Sequence, residues 1–314
     1  MKAFAIEEFG GPGSVHDLPI PEPTEGQLRV RVAAAGLNPF DNAVVQGYTK
    51  DMMEHRFPLV PGMDSSGTVD SLGEGVEGWA VGEEAFGSVG KKYLGEGTLA
   101  EFVTMSAGTV AHKPSSIDHT MAAAIPTAAV TALNMADALQ LSQGQTLVAV
   151  GATGGVGSYL VQLAAQRGAQ VVAVCRGENA DYARRLGAVE VIDYSAEDVV
   201  AAVRSRHPAG IDALADMHGD KEELAALAEH VRSRGHVASV VGAADVEALK
   251  ARQVEATNVN GRVTTASLEL LLGLLTAGEI SAPEIRSLPL ADASEALAEL
   301  ATGHVRGKLV VALQ

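Results

Sequence analysis

The sequence has little cysteine and few basic residues. Cysteine occurs once, at Cys175, so no disulfide can form within the chain and a reducing compartment is expected. Lysine and arginine together number 23 against 39 acidic residues, which gives a formal net charge of −16. A surface of this charge repels nucleic acid and anionic membranes, so neither is an expected partner.

Long apolar runs are also missing. No stretch of about 18 uncharged apolar residues occurs, so we expect no membrane span. The N-terminus, MKAFAIEEFGGPG, contains early acidic residues and no long apolar core, so it does not have the pattern of a signal peptide. These features predict a cytoplasmic protein. Its 314 residues, 47% apolar and 20% charged, are typical of a globular chain with two domains.

The first part of the chain has the pattern of short strands. Apolar, strand-like runs over 28–36, 66–73 and 99–105 are separated by turn clusters such as PEPTEG and GEGVEG. Short strands at close spacing predict an antiparallel, barrel-like domain.

The pattern changes near residue 119, after which strands alternate with helices. The predicted strands are 146–150, 170–175, 189–193, 211–217 and 236–242. Helices are predicted between them, including one over 221–235. Nearly all-apolar strands alternating with helices predict an α/β domain with a doubly wound parallel sheet. The helix at 267–281 and the strand at 308–313 leave this rhythm, so the C-terminus is expected to return to the first domain.

A glycine-rich segment, ATGGVG, follows the strand at 146–150. Compared with the dinucleotide-binding pattern G-x-G-x-x-G, Ala152 replaces the first glycine, whereas Gly154 and Gly157 keep the other two. Gly154 and Gly155 allow the backbone to approach a pyrophosphate, and the helix that follows offers free N–H groups and the positive end of its dipole. A turn without a ligand is the alternative, which the position in the first βαβ unit disfavours.

The second strand of the unit ends in Cys175 and Arg176 instead of an acidic residue. An Asp or Glu at this point holds the ribose hydroxyls of NAD, whereas a guanidinium attracts the 2′-phosphate of NADP. The sequence therefore predicts NADPH as the cofactor. The alternative is that Arg176 is a solvated loop residue.

Taken in order, these segments resemble the medium-chain dehydrogenase/reductase superfamily. The similarity is greatest to its zinc-free branch of NADPH:quinone oxidoreductases and zeta-crystallins. It extends over nearly the whole chain, including VRVAAAGLNPFDNAVVQGY (30–48), FPLVPGMDSSGTVDSLGEGV (57–76), AAAIPTAAVTAL (122–133), the ATGGVG segment and GHVRGKLVVAL (303–313).

The resemblance implies a GroES-like, partly open β-barrel domain over 1–120 and 267–314 and a Rossmann domain over 121–266. It also implies a homodimer or a tetramer formed through the cofactor domain. The cofactor contacts that it implies are Gly154, Gly155 and Val156 at the pyrophosphate, Arg176 and Tyr194 at the 2′-phosphate, and Thr127, Val241, Gly242, Ala243 and Lys308 near the nicotinamide and its ribose. Relatives often have a lysine near the 2′-phosphate where this chain has Asn179, which leaves more of the binding to Arg176.

No metal is expected. Zinc-dependent members have a cysteine where this chain has Asn38 and a His-Glu pair where it has Met63 and Asp64. Catalytic zinc takes three ligands from Cys, His and carboxylate, and the nine histidines show no HxxxH or HxH spacing.

Without a metal to stabilise an alkoxide, hydride transfer favours an acceptor that is already electrophilic, such as a quinone or a conjugated enone. The protein must then orient the reactants and donate hydrogen bonds to the developing oxyanion. Our hypothesis is that the Asn38 amide orients the nicotinamide or the substrate oxygen and that Tyr48 donates to that oxygen. The alternatives are a turn-forming role for Asn38 and a packing role for Tyr48.

Three other functions stay open at this point. An NADPH-dependent alkenal/enone or enoyl-thioester reductase would use the same scaffold. A regulator that binds NADPH without turnover would use only the nucleotide site. An RNA-binding protein would use only the surface. The net charge of −16 and the lack of Lys/Arg clusters disfavour RNA.

Overall fold

The computed structural model describes residues 1–219 and 221–313. Its elements up to residue 125 are nine strands, two α-helices and a 3₁₀ helix at Ala107–Thr109. The strands are β1 (Lys2–Ala5), β2 (Ser14–Asp17), β3 (Gln27–Gly36), β4 (Glu54–Val60), β5 (Asp64–Leu72), β6 (Glu84–Ser88), β7 (Tyr93–Glu96), β8 (Phe102–Ser106) and β9 (Val110–His112). The helices are α1 (Pro39–Val45) and α2 (His119–Ala123).

The middle of the chain alternates between helices and strands. The helices are α3 (Pro126–Ala138), α4 (Gly155–Gln166), α5 (Ala180–Arg185), α6 (Val199–Arg206), α7 (Lys221–Ala228) and α8 (Val246–Ala251). The strands are β10 (Thr146–Val150), β11 (Gln170–Cys175), β12 (Glu190–Asp193), β13 (Ile211–Asp216), β14 (Val231–Ser239) and β15 (Glu255–Asn258). The last elements are α9 (Thr265–Thr276), β16 (Ile285–Pro289), α10 (Ala293–Ala301) and β17 (Lys308–Ala312).

The chain folds into two compact units. Unit 1 comprises Met1–Val130, Arg262–Ala277 and Ala282–Gln314, and unit 2 comprises Thr131–Gly261 and Gly278–Ser281. The sequence predicts the boundaries at 120 and 266. Residues 121–130 lie in unit 1 because α2 packs on its sheet, where Ala123 and Ala124 share an apolar cluster with Ala34 and Val310.

Unit 1 is built on a seven-stranded sheet. The strand order is β16-β17-β3-β5-β6-β9, and β8 also pairs with β3. Along β3, Leu28, Val30 and Val32 are buried at every second position, as expected for a strand with one face on the core. The C-terminal strand β17 pairs antiparallel with the end of β3, and this pairing brings Lys308, the first residue of β17, into the unit.

Unit 2 is a six-stranded parallel sheet in the order β12-β11-β10-β13-β14-β15. The central strands β10, β11 and β13 are almost fully buried, because helices cover both faces of a sheet of this kind. The doubly wound parallel sheet expected from the sequence is confirmed. The strand order reverses between β10 and β13, and in open α/β sheets ligands bind at such a reversal, at the carboxyl ends of the strands.

One predicted element of unit 2 is wrong. The helix predicted over 221–235 ends at Ala228, and residues from Val231 onward form β14. Buried Val231 pairs with Ile211 of β13, and the Arg232 side chain hydrogen-bonds the Gly210 carbonyl and the Asp212 carboxylate. These long-range pairings outweigh the helical pattern of the sequence. Strand β14 also ends at Ser239, so residues 240–242 lie in the loop that follows.

Candidate active site

The glycine-rich segment connects β10 to α4. Gly151 has a φ of +79°, a left-handed conformation that favours glycine, so the tight turn lies one residue before Ala152. A Cβ at Gly157 would lie 2.2 Å from the Gly151 carbonyl oxygen, so this residue must be glycine for helix and strand to pack closely. A Cβ at Gly154 would meet only one atom, at 3.6 Å. Packing within the protein therefore does not require glycine at 154, whereas close approach of a ligand would.

Gly154 is the N-cap of α4, a helix of 12 residues. The N–H groups of Gly155 and Val156 belong to the first turn, where an α-helix has no internal acceptors. Ser158 N–H, by contrast, donates to the Gly154 carbonyl at 2.9 Å and closes the first turn. Of the predicted pyrophosphate residues, Gly154 donates its N–H to the Gly151 carbonyl at 3.2 Å. Among the described residues no acceptor is found for the N–H groups of Gly155 and Val156, which lie at the positive end of the helix dipole, and this arrangement fits a nucleotide phosphate.

Arg176 and Tyr194 lie together after the ends of β11 and β12. The Nε of Arg176 donates to the Tyr194 hydroxyl oxygen at 3.1 Å, and both side chains are exposed. Glu178 lies 4.0 Å from the Nη1 of Arg176 and holds it only loosely. The guanidinium therefore keeps donors that can bind a phosphate.

Residues Val241, Gly242 and Ala243 form the loop after β14, and Gly242 has a left-handed φ of +71°. The Ser239 hydroxyl accepts from the N–H groups of Val241, at 3.3 Å, and Ala243, at 3.2 Å. It donates to the Asp216 carboxylate at 2.9 Å. Asp216 and Ser239 thus hold this loop at the carboxyl end of the sheet. Sequence reasoning missed both residues, although an aspartate that ends the apolar strand IDALAD was a usable signal.

A second group of predicted residues lies in unit 1, around Asp64. The buried Asp64 carboxylate, at the start of β5, accepts from the Asn38 Nδ2 at 2.9 Å. It also accepts from the backbone N–H of Thr127 at 3.0 Å and from the Thr127 hydroxyl at 2.6 Å. Lys308 Nζ donates to the Asn38 Oδ1 at 2.5 Å. Asn38, Thr127 and Lys308 therefore meet around one carboxylate that the sequence analysis did not include in the site.

Chemistry fixes the orientation of the Asn38 amide. An ammonium group only donates and an ionised carboxylate only accepts, so the amide oxygen must face Lys308 and the NH₂ group must face Asp64. The Lys308 Nζ has three N–H donors, and within residues 1–219 and 221–313 Asn38 is the one acceptor found for them. The cluster can therefore donate to a bound oxygen atom.

Burial shapes the ionisation of this cluster. It raises the pKa of Asp64, although the charge of Lys308 and the hydrogen bonds from Thr127 and Asn38 oppose this shift. It lowers the pKa of Lys308, which the charges of Asp64 and Asp41 oppose. Each charge therefore favours the other, whereas burial disfavours both charged forms.

Asp41 is a second buried carboxyl next to this cluster. Its Oδ2 accepts from the N–H of Asn38 at 2.7 Å, which fixes the start of α1. Its Oδ1 is buried and has no hydrogen-bond partner in the part of the chain that the structure describes. Burial raises the pKa of Asp41 to about 7, and the hydrogen bond from Asn38 opposes this shift only in part.

Tyr48 is not part of either group. It lies in the turn after α1 with 77% of its surface exposed, whereas Asn38, at the other end of the helix, is buried. The hydrogen-bond role predicted for Tyr48 stays a prediction.

The residues around Asp64 do not fit a zinc ion. Catalytic zinc takes three ligands from Cys, His and carboxylate, whereas Asp64 is surrounded by an amide, a hydroxyl and an ammonium group. Both Asp64 oxygens already accept hydrogen bonds, and the charge of buried Lys308 opposes a cation. In residues 1–219 and 221–313, no group of three or more His, Cys, Asp or Glu side chains could hold a metal ion.

No helix in the same residues has the length and apolarity needed to cross a membrane.

Comparison with known proteins relates both units to dehydrogenases. Residues 24–115 match the family model of the alcohol dehydrogenase GroES-like domain, and residues 186–311 match the model of zinc-binding dehydrogenases. The chain is 31% identical over 326 residues to the mitochondrial NAD(P)H oxidoreductase RTN4IP1 of Mus musculus, covering 91% of this chain and 81% of that protein. It is 28% identical over 330 residues to the chloroplast envelope quinone oxidoreductase homolog of Arabidopsis thaliana, covering 99% and 98%.

A solved structure shows the same fold. The quinone oxidoreductase from Coxiella burnetii superimposes with a TM-score of 0.91 at 29% identity, covering 100% of this chain and 99% of that one. A Rossmann sheet combined with a GroES-like domain, as the sequence predicts, is confirmed. The cytoplasmic location stays a prediction, since the relatives named above are mitochondrial and chloroplast proteins.

Proposed function

Because the chain belongs to the medium-chain dehydrogenase/reductase superfamily, in its quinone oxidoreductase-like branch, we propose that it transfers hydride from NADPH to a quinone or a related conjugated carbonyl without a metal. NADPH and a proton are consumed, and NADP⁺ and the hydroquinone, or the saturated carbonyl compound, are released. When bound, the nicotinamide supplies the hydride. The protein supplies binding, orientation and hydrogen bonds to the acceptor oxygen.

The cluster around Asp64 is the observation that carries this proposal. Its donor set, described above, suits an oxygen atom that gains negative charge and does not suit a divalent cation. An alcohol substrate would need such a cation to stabilise its alkoxide, whereas a quinone spreads the charge over its ring. In the proposed reaction Asn38, Thr127 and Lys308 therefore position the nicotinamide or the acceptor, and Asp64 positions Asn38 and Thr127.

The preference for NADPH rests on Arg176. The guanidinium, supported by the Tyr194 hydroxyl, would bind the 2′-phosphate, while the free N–H groups of Gly155 and Val156 would bind the pyrophosphate. Ser239 accepts hydrogen bonds from the N–H groups of Val241 and Ala243 and so fixes the loop that would border the nicotinamide ribose.

We also propose a homodimer formed through unit 2. Strand β15 is the last strand of the parallel sheet and, among the described residues, pairs only with β14. Its other edge can pair with a second copy. Size-exclusion chromatography with light scattering tests this point, and a monomer at micromolar concentration would contradict it.

Cofactor oxidation against a panel of acceptors tests the proposed reaction. Quinones, enals and enoyl thioesters are each offered with NADPH and with NADH, and the metal content is measured by mass spectrometry before and after EDTA. We expect quinone reduction that is faster with NADPH and unchanged by EDTA. Reduction of enals or enoyl thioesters alone would favour the alternative reductases. Activity that is lost when EDTA removes bound zinc would contradict the metal-free proposal.

A further inference from the structure

Unit 1 contains a cavity of about 190 Å³ that has no role in the reaction as proposed above. Helix α1, the residues that lead into β5 and the segment around β7 form its walls. Most of the lining is apolar and comes from Phe40, Val44, Met53, Val60, Val89 and Leu94. Binding sites for drug-sized ligands commonly measure about 300–1,000 Å³, so this cavity suits a smaller molecule of roughly one ring.

The acidic and basic residues of the cavity wall are Asp41, Lys91 and Glu96, and Lys91 is the cation among them. Its side chain is only 2% exposed. Its Nζ donates to the Glu96 carboxylate at 2.8 Å and to the Glu96 backbone carbonyl at 3.3 Å. An ammonium group carries three N–H donors, and no further acceptor for Lys91 is found in residues 1–219 and 221–313. One donor of a buried ammonium group is therefore left for a ligand.

The neighbouring groups hold Lys91 in place and balance its charge. The Tyr93 hydroxyl donates to the same Glu96 oxygen at 2.7 Å. Arg56 stacks on the Tyr93 ring at 3.4 Å and forms ion pairs with Glu54, at 2.7 Å, and Glu96, at 3.7 Å. Two cations thus face two carboxylates, so the cluster carries no net charge. A neutral ligand with a hydrogen-bond acceptor suits this environment better than an anion does.

We propose that this cavity binds the electron acceptor and that Lys91 donates a hydrogen bond to its carbonyl oxygen, which selects neutral, single-ring quinones and enones over larger ring systems. The inference rests on the proposed function and specifies the substrate class of that reaction. The apolar walls bind the ring, and the buried ammonium group orients the carbonyl. Glu96 and Tyr93 are positioning residues that act through Lys91.

Two matched pairs of variants test the cavity. Met53 is half-buried and lines it, whereas the adjacent Met52 is exposed and does not. Lys91 lines it, whereas the adjacent Lys92 is exposed. Met53→Trp should fill the space and lower kcat/KM for 1,4-benzoquinone by at least about tenfold, with Met52→Trp unchanged. Lys91→Met should lower kcat/KM for 1,4-benzoquinone about tenfold, whereas Lys92→Met should leave it unchanged. The KM for NADPH should stay constant in all four.

The wild-type enzyme should also prefer 1,4-benzoquinone to 9,10-phenanthrenequinone by at least about tenfold in kcat/KM, because the larger ring system exceeds the cavity. Equal effects within both matched pairs, or a preference for phenanthrenequinone, would overturn the inference while leaving the proposed reaction intact. If Met53→Trp fails to fold, the lysine pair decides. Arylation of Cys175 by the quinone does not complicate the assay, because this thiol is buried and its pKa is raised to about 11.

A binding measurement separates the inference from the proposed reaction. Saturation-transfer NMR with 1,4-hydroquinone, without cofactor, should give a signal that Met53→Trp removes and Met52→Trp keeps. If the enzyme turns over no acceptor, the proposed function is wrong, but this NMR pattern would still show that the cavity binds a single-ring ligand. If the enzyme reduces quinones but gives no NMR signal with 1,4-hydroquinone, only the cavity assignment is wrong.

Discussion

The Nζ of Lys308 donates to the side-chain oxygen of Asn38 at 2.5 Å, although 270 residues separate them in the sequence. Strand β17 makes this possible by pairing with β3, whose end leads directly into Asn38. The same amide donates to Asp64, so one neutral side chain lies between a buried cation and a buried anion. Such an amide has a single satisfied orientation, which suits a group that must position a reactant.

Replacing Asn38 should therefore affect both stability and turnover. Asn38→Ala removes the acceptor described for the buried Lys308 ammonium group and one of the three hydrogen bonds to Asp64, so we expect a loss of about 1–3 kcal/mol in the free energy of unfolding. We also expect kcat with NADPH and quinone to fall at least about tenfold. Asn42→Ala, on the same helix and half-exposed, is the matched control. Urea unfolding and steady-state kinetics measure the two effects, and unchanged kcat would remove Asn38 from the reaction.

Tyr48 offers a simpler test, because its side chain is exposed and its replacement should not disturb folding. If its hydroxyl donates to the acceptor, Tyr48→Phe should lower kcat by about tenfold at an unchanged melting temperature. Steady-state kinetics at saturating NADPH gives the answer. Full activity of Tyr48→Phe would show that this hydroxyl takes no part in turnover.

The glycines at 154 and 157 should respond differently to alanine. Gly154→Ala meets only ordinary contacts, so the protein should fold normally, but the added methyl group lies where a pyrophosphate would approach and should raise the Kd for NADPH at least about tenfold. Gly157→Ala forces a contact of 2.2 Å with a backbone oxygen and should lower the melting temperature instead. Thermal unfolding and fluorescence titration with NADPH separate the two effects. Equal NADPH affinity in wild type and Gly154→Ala would argue against a phosphate at this loop.

Arg176 should control the choice between the two nucleotides. Arg176→Ala removes the charged donors proposed for the 2′-phosphate, so kcat/KM with NADPH should fall by about 10- to 100-fold while that with NADH changes little. Arg184→Ala, an exposed arginine of α5 that pairs with Asp181, is the control. A parallel loss with both nucleotides would mean that Arg176 supports the fold and does not select the cofactor.

Asp41 should make the stability depend on pH near neutrality. Its pKa is raised to about 7 in the folded protein from an ordinary value of 3.8, so between these values the folded state binds more protons than the unfolded state. Its contribution to stability therefore decreases as the pH rises from about 4 to about 7, by at most about 1.4 kcal/mol per pH unit. Asp41→Asn should remove this decrease. Urea unfolding of both proteins at pH 5 and pH 8 measures it, and parallel pH profiles would contradict the assignment.

Part of this protein could be predicted from the sequence alone. The parallel sheet and the glycine-rich turn depend on local patterns, since a buried strand, a glycine turn and a helix follow one another within about twenty residues. Arg176 was predicted from its position at the end of the second strand and Tyr194 from the family resemblance, and the fold of the two strands brings their side chains into contact. The boundary of β14 was not predictable in this way, because Val231 becomes a strand residue only by pairing with Ile211.

The sequence by itself determined the fold class and the position of the glycine-rich loop, because periodic burial and turn-forming glycines act over short distances along the chain. Only the tertiary structure decided that Asp64 holds Asn38 and Thr127, that Asp41 is buried with a carboxyl pKa near 7, and that Lys91 faces an apolar cavity. These properties depend on desolvation and on partners distant in sequence, and both arise only when the strands of unit 1 pack together.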